Sequence, residues 1–244
     1  MTDIRSYDWF ALDRKILASI FFPLKQEIVG KRLTPTEFTK KIRRCIRESK
    51  IPINVKTIYD TDTEKNWAYI GGEYWSFKDK KNQRCINIIM HYNINEKHIR
   101  CSWDKFKQIA YGIADTVLHE IMHIRQYRRR NFKYIPGYNS FAESARARID
   151  QEYYGHNDEL DAHSFNIACA LREDFAGNKK EIVRYINSDL RDDRLKKTVY
   201  RKFLKAFDFD HNHKIIKKLK KKIIYYLPYA ELGKPYKTSD WLKN

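Results

Sequence analysis

The chain has 244 residues, 42% of them hydrophobic, a length and content that support a packed core and exclude a disordered or fibrous protein. Its 49 basic residues against 31 acidic ones give a formal charge of +18, a field suited to polyanionic partners. No apolar run approaches a membrane span, the opening Met-Thr-Asp-Ile-Arg lacks the basic-then-apolar layout of an export signal, and Cys45, Cys85, Cys101 and Cys169 have no CxxC spacing. The expectation is a protein that is not secreted by a signal peptide, works in a cytoplasm or is packaged there, and keeps its thiols reduced. In chain order, residues 8 to 30 read as a helix stopped by Gly30. Thr34-Pro35-Thr36-Glu37 opens a second helix, with a hydroxyl cap and a proline in the first turn, that runs to about Ser49. Three strand-like segments follow: Ile53 to Tyr59, Trp67 to Phe77 interrupted by Gly71-Gly72, and Cys85 to Tyr92. In the third, Ile86, Ile88 and Met90 share one side, and Asn87, Ile89 and His91 the other.

From about Trp103 to Arg130 the apolar spacing is helical, with Phe106, Ile109, Ile113, Val117, Ile121 and Ile124 forming one stripe. Off that stripe lies His119-Glu120-Ile121-Met122-His123, an HExxH box. Residues four apart sit one turn apart on the same face, so both imidazoles can reach one cation. Zn²⁺ takes such nitrogen ligands and keeps an open position when it is catalytic, and Glu120 stands where a general base would take a proton from an attacking water.

The next informative segment is Tyr153-Tyr154-Gly155-His156-Asn157-Asp158-Glu159-Leu160-Asp161-Ala162-His163. Asn157 or Asp158 reads as a helix cap, with Glu159 in the first turn and Gly177-Asn178 as the stop near Phe175. Two histidines and a glutamate make a catalytic zinc set, so Glu159 is the preferred third ligand. His163, four residues on and on the same face, is the alternative third or outer ligand, and His156 and Asp161 also compete. Asp161 points about 200° around the helix from Glu159 and reads as a solvated or capping carboxylate. Tyr153 and Tyr154 are candidates to stabilise an oxyanion, as are Tyr134 and Tyr138 in the same connecting segment.

HEIMH on one helix, followed by DELDAH opening another, resembles the gluzincin-type metallopeptidases. That resemblance implies a zincin-like α+β fold, Zn²⁺ as cofactor, His119, His123 and Glu159 as ligands, Glu120 as general base, and His163 where relatives carry a polar residue that orients a ligand. The tyrosine-rich stretch, then DELDAH, then a basic helical tail also looks like small zincin-like proteins of tailed bacteriophages, which implies a host-cell or virion setting; the motifs of the resemblance cover roughly residues 85 to 176. Two departures stand out. Arg128, Arg129 and Arg130 follow the box where metzincins carry a third histidine, and the second box is weak outside this context. In such a domain an edge strand holds an extended substrate by strand addition, and Cys85 to Tyr92 is the candidate.

Beyond Lys179 the chain reads as helices at 179 to 188, 192 to 207 and 212 to 227, ended by Pro228, with an extended tail over 233 to 244. The last is basic and amphipathic, with Ile215, Ile216, Leu219 and Ile223 on one side and Lys217, Lys218, Lys220, Lys221 and Lys222 around the rest. These lysines, with Arg128, Arg129 and Arg130, are candidates for contact with nucleic acid or an acidic protein surface, against the simpler reading of a solvated face. His211 and His213 sit in a polar turn whose spacing matches no helical ligand pair. The expectation is therefore an α+β zincin-like domain over 1–178, with a small mixed or antiparallel sheet packed on the metal helix, and a basic helical extension over 179–244. The expected activity is zinc-dependent peptide hydrolysis on a peptide or protein substrate. The alternative is a non-enzymatic virion or nucleic-acid-associated structural protein on the same scaffold.

Overall fold

The computed structural model describes residues 12–49, 53–73, 86–131, 133, 135–188 and 199–228. The expected start of the first helix, the end of the second strand at Phe77, Cys85, Tyr134, residues 192–198 and the tail lie outside these. The described chain is a mixture of helices and small sheets, an α+β architecture. It divides into two compact units, one ending at Tyr127 and the next beginning at Arg128.

The first unit starts with α1 (Leu12–Ile28) and α2 (Pro35–Glu48), on either side of the two-residue strand β1 (Arg32–Leu33). Thr34 caps α2 through its hydroxyl while the Glu37 carboxylate takes the Thr34 N–H, so two otherwise orphaned donors are satisfied reciprocally. Phe38, Ile42 and Ile46 of α2 are buried with Phe21, Leu24 and Ile28 of α1. Strands β2 (Ile53–Asp60), β3 (Ala68–Glu73) and β4 (Ile86–Asn93) form a mixed sheet in the order β2-β4-β3, with β2 parallel and β3 antiparallel to β4. A second pair joins β1 to β5 (Ile99–Arg100). Ile86, Ile88, Met90 and Tyr92 are fully buried, so one face of β4 faces the core as the alternation predicts. The expected edge role of the Cys85–Tyr92 segment is overturned. That strand is paired on both sides, by β2 and β3, which are the two edges of the sheet among the described residues.

Helix α3 (Trp103–Arg129) buries its whole predicted stripe, from Phe106 to Ile124. It meets β3 at close quarters. A Cβ on Gly112 would lie 2.9 Å from Ile70, and a Cβ on Gly72 would lie 2.2 Å from the Thr116 methyl. Glycine is what lets backbone and helix approach this far.

The second unit is helical: α4 (Ala145–Gly155), α5 (Asn157–Asp174), α6 (Lys179–Asn187), α7 (Val199–Ala206) and α8 (Lys214–Tyr226). Helix α5 packs on α4, α6, α7 and α8, so the described helices beyond residue 178 share one core with the Glu159 helix. Leu160, Ala168, Ile186, Phe203, Leu204, Ile216, Leu219 and Ile223 are fully buried in it. Helix α4 corrects the reading of residues 134–155 as mere connection. Ser144 caps it, accepting from the Ala147 N–H at 3.1 Å. Among the described residues, no helix is long and apolar enough to cross a membrane.

Candidate metal centre

In the first unit, burial of one face of α3 turns His119 and His123 to the other. His123 is 7% exposed, and its Nδ1 lies 2.9 Å from Gln126 Oε1. An amide oxygen only accepts, so Nδ1 carries the proton and Nε2 keeps its lone pair. That Nε2 lies 3.0 Å from His119 Nε2, with the rings edge to face at 85°. Two ring nitrogens this close share a proton or a cation. Glu120 is 5% exposed and lies against the β3 backbone, its Oε1 3.0 Å from where a Gly72 Cβ would stand.

In the second unit, α4 ends at Gly155 and α5 begins two residues later. The cap falls to His156, whose Nδ1 accepts the Asp158 N–H at 3.2 Å, rather than to Asn157 or Asp158. Asp158 is instead gripped by Arg130 through two parallel bonds of 2.7 and 2.6 Å. Arg130 is one residue past the end of α3, so within the second unit this fork ties the first turn of α5, which carries Glu159, to the start of that unit. His163 Nε2 lies 3.7 Å from the Glu159 carboxylate and 3.2 Å from the Tyr153 hydroxyl. Its ring is boxed by Tyr153, Tyr154 and Phe203.

His119, His123 and Glu159 form a group that could hold a metal ion, one ligand atom of each lying within 4.8 Å of the others. The competing candidates have other places. His163 bonds Tyr153, and His156 caps α5. Asp161 is not the solvated carboxylate expected from its angle: it is 9% exposed and accepts from Lys222 and, at 2.8 Å, from the Tyr226 hydroxyl. The 200° turn away from Glu159 points it at α8 instead of at water. Tyr154 packs tilted against Phe203 with ring centroids 4.5 Å apart, and Tyr138 lies under Lys214, so Tyr153 is the candidate hydroxyl beside the Glu159–His163 pair. The sequence puts Gln126 on the histidine side of the helix but does not give its bond to His123, and the Arg130–Asp158 fork is not readable there. Gln126 carries a readable signal, since a residue three beyond His123 lies on its face of the helix.

The donor set fits zinc. Zn–N bonds near 2.0–2.1 Å at tetrahedral angles set two ring nitrogens about 3.4 Å apart, a few tenths from the 3.0 Å seen here. The protonated Nδ1 of His123 is the partnered second nitrogen that metal-bound histidines ordinarily carry. The polyanion candidates separate by role. Arg129 is exposed, the Arg128 side chain is outside the described set, and Arg130 is committed to Asp158. Lys222 bonds Asp161, Lys220 bonds Asn187 and His211, Lys218 reaches Asn157, and Lys217 and Lys221 are exposed. No family model, no curated protein and no solved structure matches the chain.

Proposed function

We propose that the chain is a zinc-dependent peptidase with a zincin-like core. The observation that carries this reading is the His119, His123 and Glu159 group, with Glu120 next to the first ligand on the same helix. Zinc bound there would supply Lewis acidity, polarising a water and a substrate carbonyl. Glu120 accepts the proton as that water attacks and returns it to the leaving amine. Burial against the Gly72 backbone keeps its carboxylate from swinging into solvent. Gln126 holds His123 in the tautomer that leaves Nε2 open for the ion. Tyr153, hydrogen-bonded to His163 beside Glu159, donates to the developing oxyanion. A peptide is favoured over a small amide because β3 packs directly on Glu120 and leaves an edge to which an extended chain can add.

The test pairs metal analysis with cleavage of a fluorogenic peptide library. The wild type is expected to carry one zinc per chain, and Glu159→Ala to lose it while His163→Ala retains it. Glu120→Gln is expected to keep the metal and lose about 10²–10⁴ in rate. Zinc retained by a wild type that cleaves nothing would replace this reading with that of a metal-stabilised scaffold.

A further inference from the structure

Helix α8 presents two arcs of opposite character. At 100° per residue, Ile215, Ile216, Leu219, Ile223 and Tyr226 fall within about 100°, and all are 0–7% exposed. Lys214, Lys217, Lys218, Lys221 and Tyr225 fall within another arc of about 100° on the far side, and all are exposed. Lys220 and Lys222 lie on the two flanks, which is why they turn inward, to Asn187 and His211 on one side and to Asp161 on the other. Only Lys222 meets a carboxylate there, and the outward lysines meet none among the described residues. Lys218 reaches only the neutral amide of Asn157, and Lys214 stands 5.5 Å over the Tyr138 ring. Lys217 and Lys221 make no ion pair with a described residue, and α8 contains no acidic residue.

We infer that this outward face of α8 binds the phosphodiester backbone of nucleic acid. Four lysine charges over about 10 Å of helix axis form a dense linear array. Duplex DNA offers one negative charge per about 1.7 Å of axis, a density that the surface of a folded acidic protein does not approach. A membrane surface fits less well. A helix that lies in a bilayer interface needs its apolar side for insertion, and here that side is consumed by the protein core. Tyr225, 57% exposed within the arc and one turn beyond Lys221, adds an aromatic face for a base or sugar. The inference is independent of the peptidase reading, because none of these residues belongs to the metal group.

The experiment uses the full chain and a fluorescein-labelled 20-base-pair duplex, followed by anisotropy from about 50 to 300 mM salt. The wild type is expected to bind with affinity falling steeply as salt rises. Lys217→Gln with Lys221→Gln should weaken binding on the order of tenfold or more and lower the log–log salt slope by about 2. The same charge change at exposed Lys31 and Arg32, in the other unit, should leave both quantities near the wild-type values. Circular dichroism of the α8 variant should match the wild type, since both lysines are exposed. Absence of DNA binding by the wild type, an unchanged slope in the α8 variant, or an equal loss in the Lys31/Arg32 variant overturns the inference. So does stronger salt-sensitive binding to phosphatidylserine vesicles than to DNA.

Discussion

At the scale of single residues, the bond from His123 to Gln126 is the detail on which the metal reading turns. A neutral imidazole has one nitrogen with a lone pair, and the buried Gln126 oxygen, by holding the proton on Nδ1, makes that nitrogen Nε2 and fixes the ring. Partners of this kind are ordinarily worth 10–100-fold in metal affinity. Gln126→Leu is therefore expected to weaken zinc binding by about that factor, measured by competition with a chromophoric chelator, whereas Gln126→Glu retains it. Equal affinity in the leucine variant would refute the role. A second residue tests the pH response of the helical unit. His213 caps α8, its Nδ1 accepting the Ile215 N–H at 3.3 Å, and stacks on Phe207. Burial lowers its pKa from the ordinary 6.5, reinforced by Lys214 and opposed by Asp210. The unfolded chain then binds the proton more readily than the folded one. Stability from His213 is present above about pH 6.5 and is lost as pH falls through its lower folded value. Thermal melts between about pH 7.5 and 5 should show that loss, and His213→Asn, which keeps a capping oxygen, should flatten it. An identical pH profile in the variant would exclude His213 as the cause.

At the scale of elements, the forked pair between Arg130 and Asp158 does what neither helix propensity nor hydrophobic pattern can do. It ties the first turn of α5 to Arg130 at the start of the second unit. Removing one partner leaves a desolvated charge, so Arg130→Gln should cost about 3–5 kcal/mol in urea unfolding. Replacing both, Arg130→Met with Asp158→Leu, should recover most of that stability yet still bind zinc more weakly, because the anchor beside Glu159 is gone. Full zinc affinity in the double variant would show that the pair is structural alone. Such pairs were not legible in the sequence, where Arg130 reads as one more charge in a basic run. The elements that were legible are those with a strong local signal. The cap and first-turn proline of α2, the six-residue stripe of α3 and the alternation of β4 all specify themselves within about twenty contiguous residues. Strand order was not legible, since a strand of eight residues looks the same whether its neighbours lie on one side or both. Nor was α4, whose exposed face gives no periodic apolar pattern once Ile149 points to solvent. Its readable signal was the serine cap ahead of helix-forming residues.

For the whole molecule, the sequence revealed which residue types belong together, but not their distances. Spacing alone puts His119 and His123 on one helix face. It leaves Glu159, 36 positions beyond His123, in competition with His156, Asp161 and His163. Tertiary partners settle where each of those rivals goes: into a cap, into α8, and onto Tyr153. The sequence also suggested a boundary near residue 178, where polar residues stop one helix and charge begins to accumulate. The compact division lies at Tyr127, because α6, α7 and α8 complete the core of α5. A ligand set drawn from positions so far apart in sequence does not exist in the unfolded chain, so the metal should bind the folded state almost exclusively. Free zinc at a hundred times its dissociation constant would then stabilise the fold by about 2.7 kcal/mol. For a chain of this length that is a rise in Tm of roughly 5–10 °C, reversed by a chelator. Scanning calorimetry of the wild type and of Glu159→Ala, each with zinc and with chelator, separates this from general ionic effects. The shift should shrink in Glu159→Ala and remain at full size in His163→Ala. A shift of equal size in wild type and Glu159→Ala would remove Glu159 from the ligand set and leave the two histidines to hold the ion without it.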